Sequence, residues 1–111
     1  MIPSQMRKGT LENCILKIIS RKETYGYEIS EALKNYGFSD ISEGTIYPLL
    51  LRLEKKGLIA AEYRESPVGP KRKYFTITPA GTEEFQQFYL SWTELAEAVE
   101  RLFQKEGDRD E

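Results

Sequence analysis

Apolar residues recur every three or four positions in four stretches of the chain and every second position in two others, in an order that predicts helix, helix, helix, strand, strand, helix. From Thr10 to Arg21, Leu11, Ile15, Ile18 and Ile19 share one face, with Cys14 beside them. Thr24 is placed to cap a second helix that carries Ile29 and Leu33 inward and ends at Gly37. After the linker Phe38 to Ile41, Ser42 is a suitable N-cap for a third helix. There Ile46, Leu49, Leu50 and Leu53 form a buried stripe and leave Thr45, Tyr47, Pro48 and Arg52 off it. Gly57 can take the left-handed position past the helix end, letting Leu58 pack back on Leu53. Pro48 interrupts this helix, and a proline deep in a helix costs about 3 kcal/mol. As the sixth helical residue it either bends the first turns or serves as a helix-start proline.

The next two stretches predict a hairpin. Ile59, Ala61 and Tyr63 alternate between Leu58 and Glu65; Lys73, Phe75 and Ile77 then alternate with Arg72, Tyr74 and Thr76. Ser66, Pro67, Val68, Gly69 and Pro70 cannot continue either strand, and they hand directly to Lys71, Arg72 and Lys73, which are expected together at the tip. The last helix takes Thr78 as cap and Pro79 as its first residue and runs to about Phe103. Phe85, Phe88, Trp92, Leu95, Val99 and Leu102 fall at spacings of three and four, and Tyr89, Ala96 and Phe103 widen that stripe. Such a helix is roughly 38 Å long, more than a small domain can cover, so the stripe predicts a two-fold homodimer.

Composition narrows the chemistry. A chain of 111 residues forms one domain with a modest core. Its single cysteine excludes an internal disulfide, and without a histidine or second thiol Cys14 reads as inert packing. The polar start from Met1 to Lys8 lacks the apolar run of a signal peptide, and no segment approaches the roughly 20 apolar residues that span a bilayer, so the expectation is a soluble, cytoplasmic protein with no membrane partner. Arg7 and Lys8 leave room for an N-terminal arm that touches DNA or a partner subunit. No histidine, metal-ligand spacing, phosphate-cradling glycine loop or activated nucleophile is present, which argues against an enzyme, a metal and a cofactor. Glu12, Glu28 and Glu31 read as solvated surface. The net charge of −2 conceals a division: residues 1–80 hold 13 Lys+Arg against 9 Asp+Glu, whereas residues 81–111 hold 3 against 9. The basic half is the half with the hairpin and the three short helices.

Three helices followed by a two-stranded wing put the third helix in a major groove of double-stranded DNA and the wing beside it. Thr45, Tyr47 and Arg52 are then the side chains nearest the DNA, with Ser42 and Gly44 at a helix N-terminus that favours an anion. Lys71, Arg72 and Lys73 would reach phosphate or the minor groove, although such a run is also common as plain solvated charge.

The string GTIYPLLLRLEKKGLI, with YGYEI before it and GPKRKYFTITPAG after it, resembles the PadR family of bacterial winged-helix transcriptional regulators over residues 9–81, and the long last helix fits the branch with a single C-terminal dimerisation helix. The resemblance implies a mainly α fold with a two-stranded β wing: a winged helix-turn-helix over 9–78, a dimerisation helix over 79–104 and a charged, fraying tail over 105–111. It also implies that Tyr25 and Tyr27 lie near the DNA backbone, where packing is the alternative. A two-fold dimer reads two half-sites, so the operator is expected to be a near-palindrome; by the resemblance, many members act as repressors whose DNA affinity changes when a small phenolic or flat aromatic effector binds. In some, a tryptophan lines an apolar cavity at the dimer centre; Trp92 matches it, with Phe88, Leu95 and Ala96 as neighbours, unless Trp92 simply fills the dimer core. The competing function is a protein-protein adaptor on the same fold, without specific DNA binding.

Overall fold

The computed structural model describes residues 2–108. One turn, α1 (Ser4–Arg7), precedes α2 (Leu11–Arg21), β1 (Thr24–Tyr25), α3 (Gly26–Asn35), α4 (Glu43–Lys55), β2 (Ile59–Arg64), β3 (Arg72–Ile77) and α5 (Pro79–Asp108). The helix expected third is therefore α4. Its buried stripe is Ile46, Leu50 and Leu53, with Leu49 half-buried at its margin. They meet Ile15, Leu16 and Ile19 of α2, Ile29 and Leu33 of α3, and Ile59 and Phe75 of the sheet.

The wing has an addition that the apolar pattern did not announce. β1 pairs antiparallel with β3, making a three-stranded sheet in the order β1-β3-β2. Thr24 consequently does not cap a helix: it lies opposite Phe75, buried, and its Oγ1 donates to Glu28 Oε1 at 2.7 Å. Tyr25 takes the N-cap position of α3 without a side-chain bond. Two residues suffice here because the free edge of β3 offers unpaired backbone groups that must bond to something.

The turns that end α3 and α4 close in the same manner. Gly37 and Gly57 have φ of 113° and 77°. Past α3, the Phe38 amide reaches Leu33 O at 2.9 Å; past α4, the Leu58 amide reaches Leu53 O at 3.0 Å and the Gly57 amide reaches Glu54 O at 3.0 Å, the paired bonds of a Schellman end. A side chain in that left-handed region costs about 1 kcal/mol. Gly57→Ala should thus lower the stability of the domain by about that amount, seen as an earlier urea midpoint at unchanged slope; an unmoved midpoint would contradict the strain at this position.

α5 starts on this second turn. The Thr78 amide donates to Leu58 O at 3.2 Å, Thr78 Oγ1 donates to Gly57 O at 2.8 Å, and the same hydroxyl caps α5 by accepting the Gly81 amide at 3.1 Å. A Cβ on Gly81 would stand 2.1 Å from Leu58 O, so backbone meets backbone there with no room for a side chain. Phe85 packs on the edge of the core and the helix then leaves the domain, giving the molecule a 63 Å long axis against 28 and 20 Å. The helix continues past position 104 to Asp108, and residues 109–111 of the expected tail lie outside the described residues. Among the described residues, no helix is long and apolar enough to cross a membrane.

Candidate nucleic-acid interface

α4 presents a continuous exposed face opposite its buried stripe. Gly44, Tyr47, Pro48, Leu51 and Lys55 are all exposed and recur at helical spacing, with Thr45 and Arg52 on one flank. The helix runs unbroken through Pro48. Ser42 is its N-cap by backbone geometry, but its hydroxyl makes no capping bond and lies 3.4 Å from the Thr45 hydroxyl instead. The Thr45 amide donates to Ser42 O at 3.0 Å, which leaves the Glu43 and Gly44 amides for an outside acceptor. Tyr47 spans the start of α3: its ring lies 3.6 Å from where a Gly26 Cβ would stand. Tyr27, the second residue of α3, is 52 % exposed.

The expected cluster of wing cations is divided by strand geometry. Arg72 and Lys73 belong to β3, where successive side chains take opposite faces, so the three do not sit together at the tip. Lys73 turns inward, 2.9 Å from Glu54 of α4 and over the rings of Tyr63 and Phe75. Arg72 turns outward onto the Tyr25 ring, 4.4 Å from its centre. Lys71 alone lies in the loop, 3.8 Å from Glu65. The outer sheet face continues with Tyr25 against Tyr74, ring centres 5.3 Å apart, and Arg64 over Tyr74. Arg64 also grips both carboxylate oxygens of Glu23, and that hydrogen bonding holds the Glu23 carboxyl below its ordinary pKa. Tyr25 is therefore half-buried within an aromatic and guanidinium stack, the packed alternative for this residue.

Arg52 is held as well. Its Nε donates to Glu12 Oε2 at 2.7 Å, tying α4 to the start of α2, with the rest of the guanidinium still exposed. Glu12 and Glu28 are thus structural partners instead of free surface, and Glu31 pairs with Lys34 at 3.4 Å. Sequence reasoning missed Leu51 and Arg64. Counting one turn on from Tyr47 and Pro48 finds Leu51; Arg64 emerges only from the register that sets it opposite Arg72.

On α5, Phe85 and Phe88 are half-buried, whereas Tyr89, Trp92, Leu95, Val99, Leu102 and Phe103 are exposed. An apolar cavity of about 860 Å³ opens between α2, the end of α3 and the first turns of α5. Cys14, Ile18, Leu33, Phe38, Phe85 and Phe88 line it, while Trp92, Leu95 and Ala96 lie beyond it along α5. Burial pushes the Cys14 thiol up, which suits an inert wall residue. Asn13 Oδ1, on the same wall, is buried and has no hydrogen-bond partner among the described residues.

Comparison with known proteins matches residues 15–87 to the model of the transcriptional regulator PadR-like family. The crystal structure of a PadR-like transcriptional regulator from Bacillus cereus is 51 % identical, superposes with a TM-score of 0.83, and the match covers 92 % of this chain and 99 % of that one. A transcriptional regulator of Mycobacterium tuberculosis is 34 % identical over 86 % of this chain and 87 % of its own length. Bacillus subtilis PadR, solved in complex with operator DNA, superposes with a TM-score of 0.66 at 26 % identity, over 72 % of this chain and 46 % of that one.

Proposed function

The chain belongs to the PadR-like family of transcriptional regulators, which are not enzymes, and from that premise we propose a cytoplasmic homodimeric repressor that reads a near-palindromic operator with α4 and the wing. The observation that carries this reading is the exposed α4 face beside the wing, on a chain whose Bacillus subtilis relative was solved on operator DNA. Ser42, Gly44 and Thr45 offer amides and hydroxyls to a phosphate, Tyr47 and Arg52 flank the groove, and Tyr27, Lys71 and Arg72 extend the interface along the backbone. Lys73 contributes by holding the wing to α4 through Glu54. The bare apolar stripe of α5 supports the homodimer, since two such stripes cover each other under a two-fold axis. Two winged domains then face two half-sites.

The test is binding to a fluorescent duplex from upstream of the protein's own coding region, against a scrambled duplex of equal length, across a salt series. The upstream duplex should be preferred. Lys71→Ala/Arg72→Ala should lower the slope of log K against log salt by about 2 per subunit, since each cation that neutralises a phosphate adds near 0.9 to that slope. Equal, feeble binding to both duplexes, unmoved by the double change, would favour a protein-protein adaptor instead.

Effector release is the finer part of this proposal. The cavity beside α5 suits a small phenolic or flat aromatic compound, with Phe85 and Phe88 available to its ring. Trp92, Leu95 and Ala96 would join the site only from the dimer interface, where Trp92 otherwise serves as packing. Such a compound changes DNA affinity only if it binds one spacing of the winged domains better than the other.

A further inference from the structure

Leu51 stands on the face of α4 assigned to the major groove and is 57 % exposed. An isolated surface leucine is ordinary, but this one has an organised setting. Tyr47, 47 % exposed, and Pro48 lie one turn before it, so the middle of the helix face is apolar along its length. Polar groups mark both ends: the open amides after Ser42 at the start, and exposed Lys55 one turn beyond Leu51. The face from Gly44 to Lys55 is about 17 Å long by helix geometry, against a major groove about 12 Å wide. With α4 seated in that groove, as the DNA-binding reading has it, the middle of the face meets base edges. The one apolar group on those edges is the thymine 5-methyl.

We propose that Leu51 reads thymine 5-methyl groups in the major groove and makes a thymine at the facing position of each half-site a determinant of operator choice. This rests on the DNA-binding reading above and supplies one of its base contacts. Arg52, held on the flank by Glu12, is left to position the helix. Removing one buried methyl corresponds to about fourfold in affinity for each half-site.

The experiment selects duplexes from a randomised library with the wild-type dimer, then replaces each enriched thymine by deoxyuridine, which pairs identically and lacks only the methyl. At one thymine of each half-site the wild type should weaken about fourfold. Leu51→Ala should bind the thymine duplex more weakly and be indifferent to the replacement, whereas Leu51→Met, which keeps an apolar side chain, should retain the sensitivity. Leu51 is exposed, so both variants should melt with the wild type. Enrichment without any response to deoxyuridine, or a response equally large in Leu51→Ala, overturns the assignment and leaves DNA recognition standing. No enrichment over the starting library overturns both.

Discussion

Gly81→Ala should be among the most damaging single-methyl changes available in this chain, costing about 3 kcal/mol and lowering Tm by on the order of 15 °C. The reason is the 2.1 Å between its added Cβ and the carbonyl oxygen of Leu58, with the Ile77 methyl at 2.7 Å on another side. Ile77 can turn away. Leu58 cannot, because its amide closes the end of α4 on Leu53 and its carbonyl accepts the Thr78 amide. Relief requires either lifting α5 off the sheet, which also breaks the bond from Thr78 Oγ1 to Gly57 O, or opening the turn after α4. Thermal melting followed by circular dichroism at 222 nm reads the result. A Tm within a few degrees of wild type would mean that the backbone gives way there without cost and that the junction is not rigid.

Placing two carboxylates in the stripe, Leu95→Glu/Val99→Glu, should convert the proposed dimer to a monomer and weaken operator binding by roughly 100-fold or more, because the second half-site would no longer be bound intramolecularly. Both side chains are exposed in the single chain, at 58 % and 46 %, so the winged domain has no cause to unfold. That separates loss of pairing from loss of structure. Light scattering gives the mass, a melt gives the stability of the domain, and titration of the duplex gives the affinity. A variant that remains dimeric would show that the chains meet elsewhere, and a monomer with undiminished operator affinity would show that pairing does not serve recognition.

Much of this architecture could be read from periodicity because its determinants are local. The Gly57 and Leu58 turn, the Thr78 and Pro79 start of α5 and the apolar stripe of α4 each depend on residues within two turns of each other, and each is found as expected. What escaped depends on pairing across the chain. Thr24 stands before a helical stretch, where a threonine is a good cap, but its partner Phe75 is 51 positions away and claims it for the sheet. The grouping of Lys71, Arg72 and Lys73 failed on strand alternation, which was legible, since Phe75 must face inward and Lys73 shares its parity. The Arg52 bond to Glu12 and the Arg64 grip on Glu23 bridge positions 40 and 41 apart, and no local pattern encodes them.

The junction of Thr78 and Gly81 with Gly57 and Leu58 has a mechanical consequence. The same two residues end α4 and seat α5, so the two helices turn as one body. α5, with 30 residues, acts as a lever arm of about 45 Å. At that radius a rotation of only about 5° sweeps the far end through about 4 Å, more than the roughly 3.4 Å rise of one base pair. In the proposed dimer a rotation of that size where the two α5 helices pair would shift the winged domains relative to each other on the scale of a base-pair step, so the spacing between half-sites would be set by an angle between two helices that no base touches.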